Sequence, residues 1–148
     1  MAITWADILT WTTGPLESAA TDLVATSKAL VSAASDGQDA TNGIQSQGSA
    51  VTAIRSAASK NMTALARLAT NVNSAMMAIE GAYDGVATVM ANIQNAQAYA
   101  AENHCTINAD GTVSSNAYNE SDSVKTQAML AAAELKTTIE QIIKDADQ

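Results

Sequence analysis

Between Val51 and Ala100 the chain keeps one pattern without a break. Steps of alternately three and four residues land on Val51, Ile54, Ala58, Asn61, Leu65, Leu68, Val72, Ala75, Ile79, Ala82, Val86, Val89, Ile93, Ala96 and Ala100. Only Asn61 among them is polar. A heptad pattern held for about seven repeats calls for a long α-helix with its apolar stripe against other helices. A helix over 48–103 would be roughly 85 Å long at about 1.5 Å per residue. Gly81 and Gly85 lie inside it and are where it would bend, each costing about 1 kcal/mol against alanine.

Shorter segments supply partners for that stripe. Thr4 is a plausible N-cap for a short helix over 4–11, and Thr12-Thr13-Gly14-Pro15 breaks it. Pro15 suits the start of a second helix over 15–35. There Leu16, Ala20, Leu23, Ser27, Leu30 and Ala34 recur at helical spacing. The pattern dissolves in Ser35-Asp36-Gly37-Gln38-Asp39. After the long helix, Asp110-Gly111 between two short β-prone pieces predicts a β-hairpin-like turn over 105–114. A last helix over 117–146 carries Val124, Ala128, Ala131, Leu135, Thr138 and Ile142 on one face. The second and last helices are each about half as long as the third, so each can cover one half of it. The expectation is a single all-α domain over 1–148: an elongated helical hairpin or bundle with one very long central helix and a small β-turn insertion before the last helix.

Composition agrees with thin seams and not with a thick globule. Phe is absent, and the chain has two Trp and three Tyr. Small side chains let helices approach closely, but they cannot fill a wide interior. The net charge of -8 argues against nucleic acid, which needs clustered Lys and Arg, and against an anionic membrane surface. No stretch reaches the roughly 20 apolar residues of a membrane span. Met1-Ala2-Ile3-Thr4-Trp5 has neither a basic region nor an apolar core, so no ordinary secretory signal is expected.

Candidate chemistry is sparse. His104 and Cys105 are the only residues of their kinds, whereas a zinc site needs about four such ligands and a Cys–His nucleophile needs a third, orienting group. Phosphate-binding glycine patterns are missing. No catalytic, metal or cofactor site is expected, and the chain is read as not an enzyme. Trp5 and Trp11, six apart, are expected to clamp the first helix onto the bundle. Leu65, Leu68, Ile79 and Ile93 are expected to make packing or partner contacts.

Four features together resemble the helical N-terminal modules of type VII (ESX) secretion substrates, in the WXG-like superfamily. The chain begins with a short Trp-bearing helix, Trp5-Ala6-Asp7-Ile8-Leu9-Thr10-Trp11, followed by Gly14-Pro15-Leu16 and an Ala-rich helix. A turn then leads through Gly48-Ser49-Ala50 into the long helix. That helix exits into Thr106-Ile107-Asn108-Ala109-Asp110-Gly111-Thr112-Val113, similar to the Asp-Gly hairpin of larger members. Tyr118-Asn119-Glu120-Ser121-Asp122 fits a Tyr-x-x-x-Asp/Glu export pattern, with Tyr118 and Asp122 as its two residues. The slot of the Trp-x-Gly turn is held by Ile44-Gln45-Ser46. The resemblance implies a leaderless, exported helical adaptor or targeting module, cytoplasmic before export and then secreted or at the cell surface. It also implies pairing with itself or with a small WXG-like helical protein, and contact with a secretion ATPase or chaperone. The heptads alone fit a structural coiled-coil scaffold with no export role equally well. ESX ATPase and WXG-type neighbouring genes would favour the first reading.

Association follows from arithmetic of faces. Val24, Leu30, Val31, Met62, Met76, Met90 and Ile139 cannot all face one two-helix seam, so an apolar surface is expected to remain for a second hairpin.

Overall fold

The computed structural model describes residues 2–148. Helix makes up 76% of the chain, against about a third in ordinary domains, and the fold is all-α as expected. In order the elements are α1 (Trp5–Ile8), α2 (Gly14–Asn42), α3 (Ser49–Glu102), strands β1 (Cys105–Ile107) and β2 (Val113–Ser115), and α4 (Asp122–Ala146). The 54 residues of α3 run through Gly81 and Gly85 as unbroken helix. No helix is long and apolar enough to cross a membrane among the described residues.

The chain divides into two compact units. Met1–Thr13 and Tyr83–Gln148 form the first, called here the core unit, and Gly14–Ala82 form the second, the hairpin unit.

In the core unit, α1, the last part of α3, the β-hairpin and α4 enclose one apolar cluster. Its members include Trp5, Ile8, Val89, Ile93, Ala96, Ala100, Leu135, Ile139 and Ile142. The strands pair antiparallel, with Cys105 opposite Ser115 and Ile107 opposite Val113, and both pack on α4. At the end of α3 the Asn103 N–H donates back to the Tyr99 and Ala100 carbonyls at 3.1 and 3.2 Å. His104 then takes a left-handed φ of 55°, a capping conformation usually left to Gly or Asn.

Helix boundaries depart from expectation at three places. First, α1 is a single turn. A capping box starts it: the Thr4 hydroxyl accepts from the Asp7 N–H at 3.2 Å, and the Asp7 carboxylate accepts from the Thr4 N–H at 2.8 Å. Second, α2 does not stop at 35 but continues to Asn42. Its weak helix formers are carried by packing, because the seam continues through Gly37 and Thr41, both half-buried. Third, α4 begins at Asp122, not at 117. Ser121 is its N-cap and accepts from the Val124 N–H at 3.4 Å, while Ala117 is buried in the turn before it.

Candidate interaction surface

In the hairpin unit α2 returns antiparallel along the first part of α3. Two contacts set the register. The Arg55 guanidinium donates to the Ile44 carbonyl at 2.8 Å, and a Cβ on Gly37 would sit 3.9 Å from Met62 Cγ. Continuing at helical pitch, Ala34 lies level with Leu65, Leu30 with Ala69, Ser27 with Val72 and Ala20 with Ile79. Each of these is half-buried or, for Val72, buried. The seam on α2 is Leu16, Ala20, Leu23, Ser27, Leu30, Ala34, Gly37 and Thr41. On α3 it is Ala58, Met62, Leu65, Ala69, Val72, Met76 and Ile79.

One row of that seam differs from the expected one. Leu65, Val72 and Ile79 lie in it, as does the expected Ala58. The other row is Met62, Ala69 and Met76, each one residue along from the expected Asn61, Leu68 and Ala75. Leu68, expected to pack, is 48% exposed, and Ile54 is 55% exposed. The uncovered row holds the polar Asn61 where the covered row holds Met62, and α2 closes over the row richer in Met. In the core unit the expected row holds: Val89 and Ala96 are buried together with Ile93 and Ala100.

The hairpin unit therefore keeps little inside. Of its residues only Val72 is buried below the surface, and α2, 29 residues long, buries none. Val31 stands 63% exposed, and Val24, Ile54, Leu68 and Met77 are exposed with it. The expected set of leftover apolar residues is corrected accordingly. Val24 and Val31 are exposed, but Leu30, Met62, Met76 and Met90 are half-buried and Ile139 is core. Ile54 and Met77, absent from that set, are exposed as well: Ile54 stands in the row that α2 leaves uncovered, and Met77 lies one residue past the half-buried Met76.

The remaining candidates fall elsewhere. Ile44 and Ser46 lie in the loop between α2 and α3, Ile44 half-buried and Ser46 exposed. Trp5 is 2% exposed, and Trp11 is partly buried against the same cluster, so both tryptophans clamp the N-terminal segment to the core unit. Tyr118 is 76% exposed in the turn ahead of α4, and Asp122 is the first residue of that helix. The two do not share a helical face, because Ser121 and not Ala117 starts the helix. Exposed Met129 and Leu130 follow on α4.

The core unit also carries polar features. Between α3 and α4 runs a groove of about 610 Å³ lined by Asn92, Asn95, Tyr99, Glu134, Thr138, Gln141 and Asp145, among others. Across it the Tyr99 hydroxyl donates to the Glu134 carboxylate, and that bond holds the phenol proton above its usual range. Hydrogen bonds from Thr4 lower the Asp7 pKa, and hydrogen bonds from Thr112 lower that of Asp110. No group of three or more His, Cys, Asp and Glu able to hold a metal occurs among the described residues.

Cys105 is buried, and its thiol donates to the Ala128 carbonyl at 3.3 Å. Burial pushes its pKa up, which disfavours the reactive thiolate. A thiol reagent at neutral pH is thus expected to label Cys105 only at the rate at which the core unit opens. Prompt stoichiometric labelling of the native chain would show that the thiol is not enclosed.

No family model, curated protein or solved structure matches this chain.

Proposed function

We propose that the chain is a non-enzymatic helical adaptor or targeting module of the type VII (ESX-like) secretion kind, which pairs through its hairpin unit with another helical protein. One observation carries the pairing: a 29-residue helix, α2, with no buried residue. Long helices draw most of their stability from packing, not from propensity. A two-helix unit with apolar side chains on its outside is a surface awaiting a third and fourth helix. The secretion context is supported by the resemblance set out above: the Trp-bearing first helix, the Asp-Gly hairpin after the long helix, and Tyr118 with Asp122.

The exposure of Tyr118 makes the export part testable without disturbing the fold. Tyr118→Ala removes a side chain that is 76% exposed and is expected to change thermal stability by about 0.5 kcal/mol or less, as surface substitutions do. Secretion from the native host is expected to fall at least tenfold. Normal secretion of the folded variant would remove Tyr118 and Asp122 as an export signal.

A further inference from the structure

Past Ala58, the exposed stretches of α3 are three residues long or shorter, with one exception: Glu80, Gly81, Ala82, Tyr83, Asp84 and Gly85 are exposed in succession. Short stretches are what a helix with one packed face shows. A stretch longer than one turn of about 3.6 residues has no well-covered face, and the largest side chain of the six, Tyr83, is 36% exposed. Cover resumes on either side. The last half-buried residue of α3 in the hairpin unit is Ile79, and the first in the core unit is Val86. Most helical stability comes from such packing, so the turn and a half between them must hold itself.

Its residues are poorly suited to that. Gly81 and Gly85 both lie in it, and a glycine inside a helix weakens it about fivefold against alanine. The usual structural reasons for a glycine are missing. Neither has a positive φ, and neither is near an end of α3 (Ser49–Glu102). Neither makes room for a neighbour, because a Cβ at either position would meet nothing within 4 Å, whereas one on Gly37 of α2 would touch Met62. What remains is the freedom of the glycine backbone itself. Charge acts in the same direction. Glu80 and Asp84 are like charges at i,i+4, a destabilising pair, and beyond Arg67 the helix carries no base of its own.

We propose that residues 81–85 are a hinge, at which α3 bends and its hydrogen-bond ladder opens while the packed lengths of the helix before and after it stay formed. The 54-residue helix then does not transmit orientation along its length as a stiff rod would. The hinge stands independently of the pairing and export roles given above.

The test is the distance between two spin labels on the full chain, read by pulsed electron resonance. Asn73→Cys with Gln94→Cys brackets the hinge. Ser56→Cys with Met77→Cys is the control, with the same separation in sequence, roughly 32 Å of straight helix at about 1.5 Å per residue. All four sites are exposed, and brief labelling leaves the buried Cys105 untouched. The bracketing pair is expected to give a broad distribution that reaches well below the straight-helix distance, and the control pair a narrow one. Gly81→Ala with Gly85→Ala should narrow the bracketing pair to a single peak. The bent population should fall roughly 25-fold, about fivefold for each glycine. Helicity should hold, since the added methyl groups meet open space. Hydrogen exchange should agree, with the amides of residues 82–89 slowed by the two substitutions and those elsewhere unchanged. A narrow bracketing pair with both glycines in place overturns the hinge. Equal breadth in both pairs assigns the motion to fraying along α3 and overturns it too. Breadth that survives both substitutions overturns the part given to the glycines.

Discussion

Ile93→Asp is expected to unfold the core unit. Ile93 belongs to the buried cluster of that unit and is nearly inaccessible to water. The substitution removes an aliphatic side chain worth about 2–5 kcal/mol when cut back to alanine. It then adds a carboxyl group with no partner in an apolar site, at a further cost of about 2 kcal/mol or more even when the group protonates. Together these approach the whole stability of a typical domain, about 5–15 kcal/mol. Circular dichroism should show lost helix and a depressed melting temperature at pH 7, partly recovered in mild acid as the new carboxyl is neutralised. Leu65→Asp makes the comparison: Leu65 is only half-buried, and its cost should be smaller. Equal melting of Ile93→Asp and wild type would mean that the last part of α3 is not covered by α4.

Gly111→Ala should destabilise the same unit by about 2–4 kcal/mol, an unusual loss for one methyl group. Two causes add. Gly111 has a φ of +87°, left-handed backbone that costs an L-residue about 1–2 kcal/mol. A Cβ there would also lie 2.9 Å from Trp5 Cβ, closer than such atoms pack, and 3.3 Å from Trp5 Cγ, a tight contact, and overpacking of this kind costs about 1–3 kcal/mol. The two parts separate in a double-mutant cycle. Trp5→Ala alone should cost about 3–5 kcal/mol as a buried aromatic truncation. Trp5 Cβ survives that change, so its 2.9 Å contact stays while the Cγ contact is lost. Adding Gly111→Ala in that background should therefore cost less than in the wild type but more than the backbone part. Strict additivity in chemical denaturation would show that Trp5 does not seat on the turn.

The turn shows how far local chemistry reaches. Asp110-Gly111 announces a hairpin by its residue types alone, and β1 and β2 form on either side of it. What it packs against is not legible in the same residues. Trp5 lies more than 100 positions earlier, and its burial over Gly111 depends on α1 docking onto α4. The N-cap of α4 is a nearer miss. Ser121 carries the capping signal in sequence, but Ala117 and Tyr118 also suit a helix, and only the burial of Ala117 in the turn shows where α4 begins.

Period and composition alone determined that α3 would be one long helix, that shorter helices would cover it, and that the interior would be thin. Periodicity acts through residues three and four apart, so it is written locally and survives without knowledge of the partner. Tertiary structure decided which of two neighbouring, largely apolar rows α2 would cover. Leu68 and Ala69, like Ala75 and Met76, are apolar side by side, and only Asn61 beside Met62 marks a difference between the rows. The choice belongs to the helix that arrives: α2, with Gly37 level with Met62, closes over the Met62–Ala69–Met76 row and leaves Ile54 and Leu68 outside. The same packing carried α2 past Ser35 to Asn42, because side-chain contacts along a continuing seam outweigh the weak helix propensity of Ser, Asp and Gly.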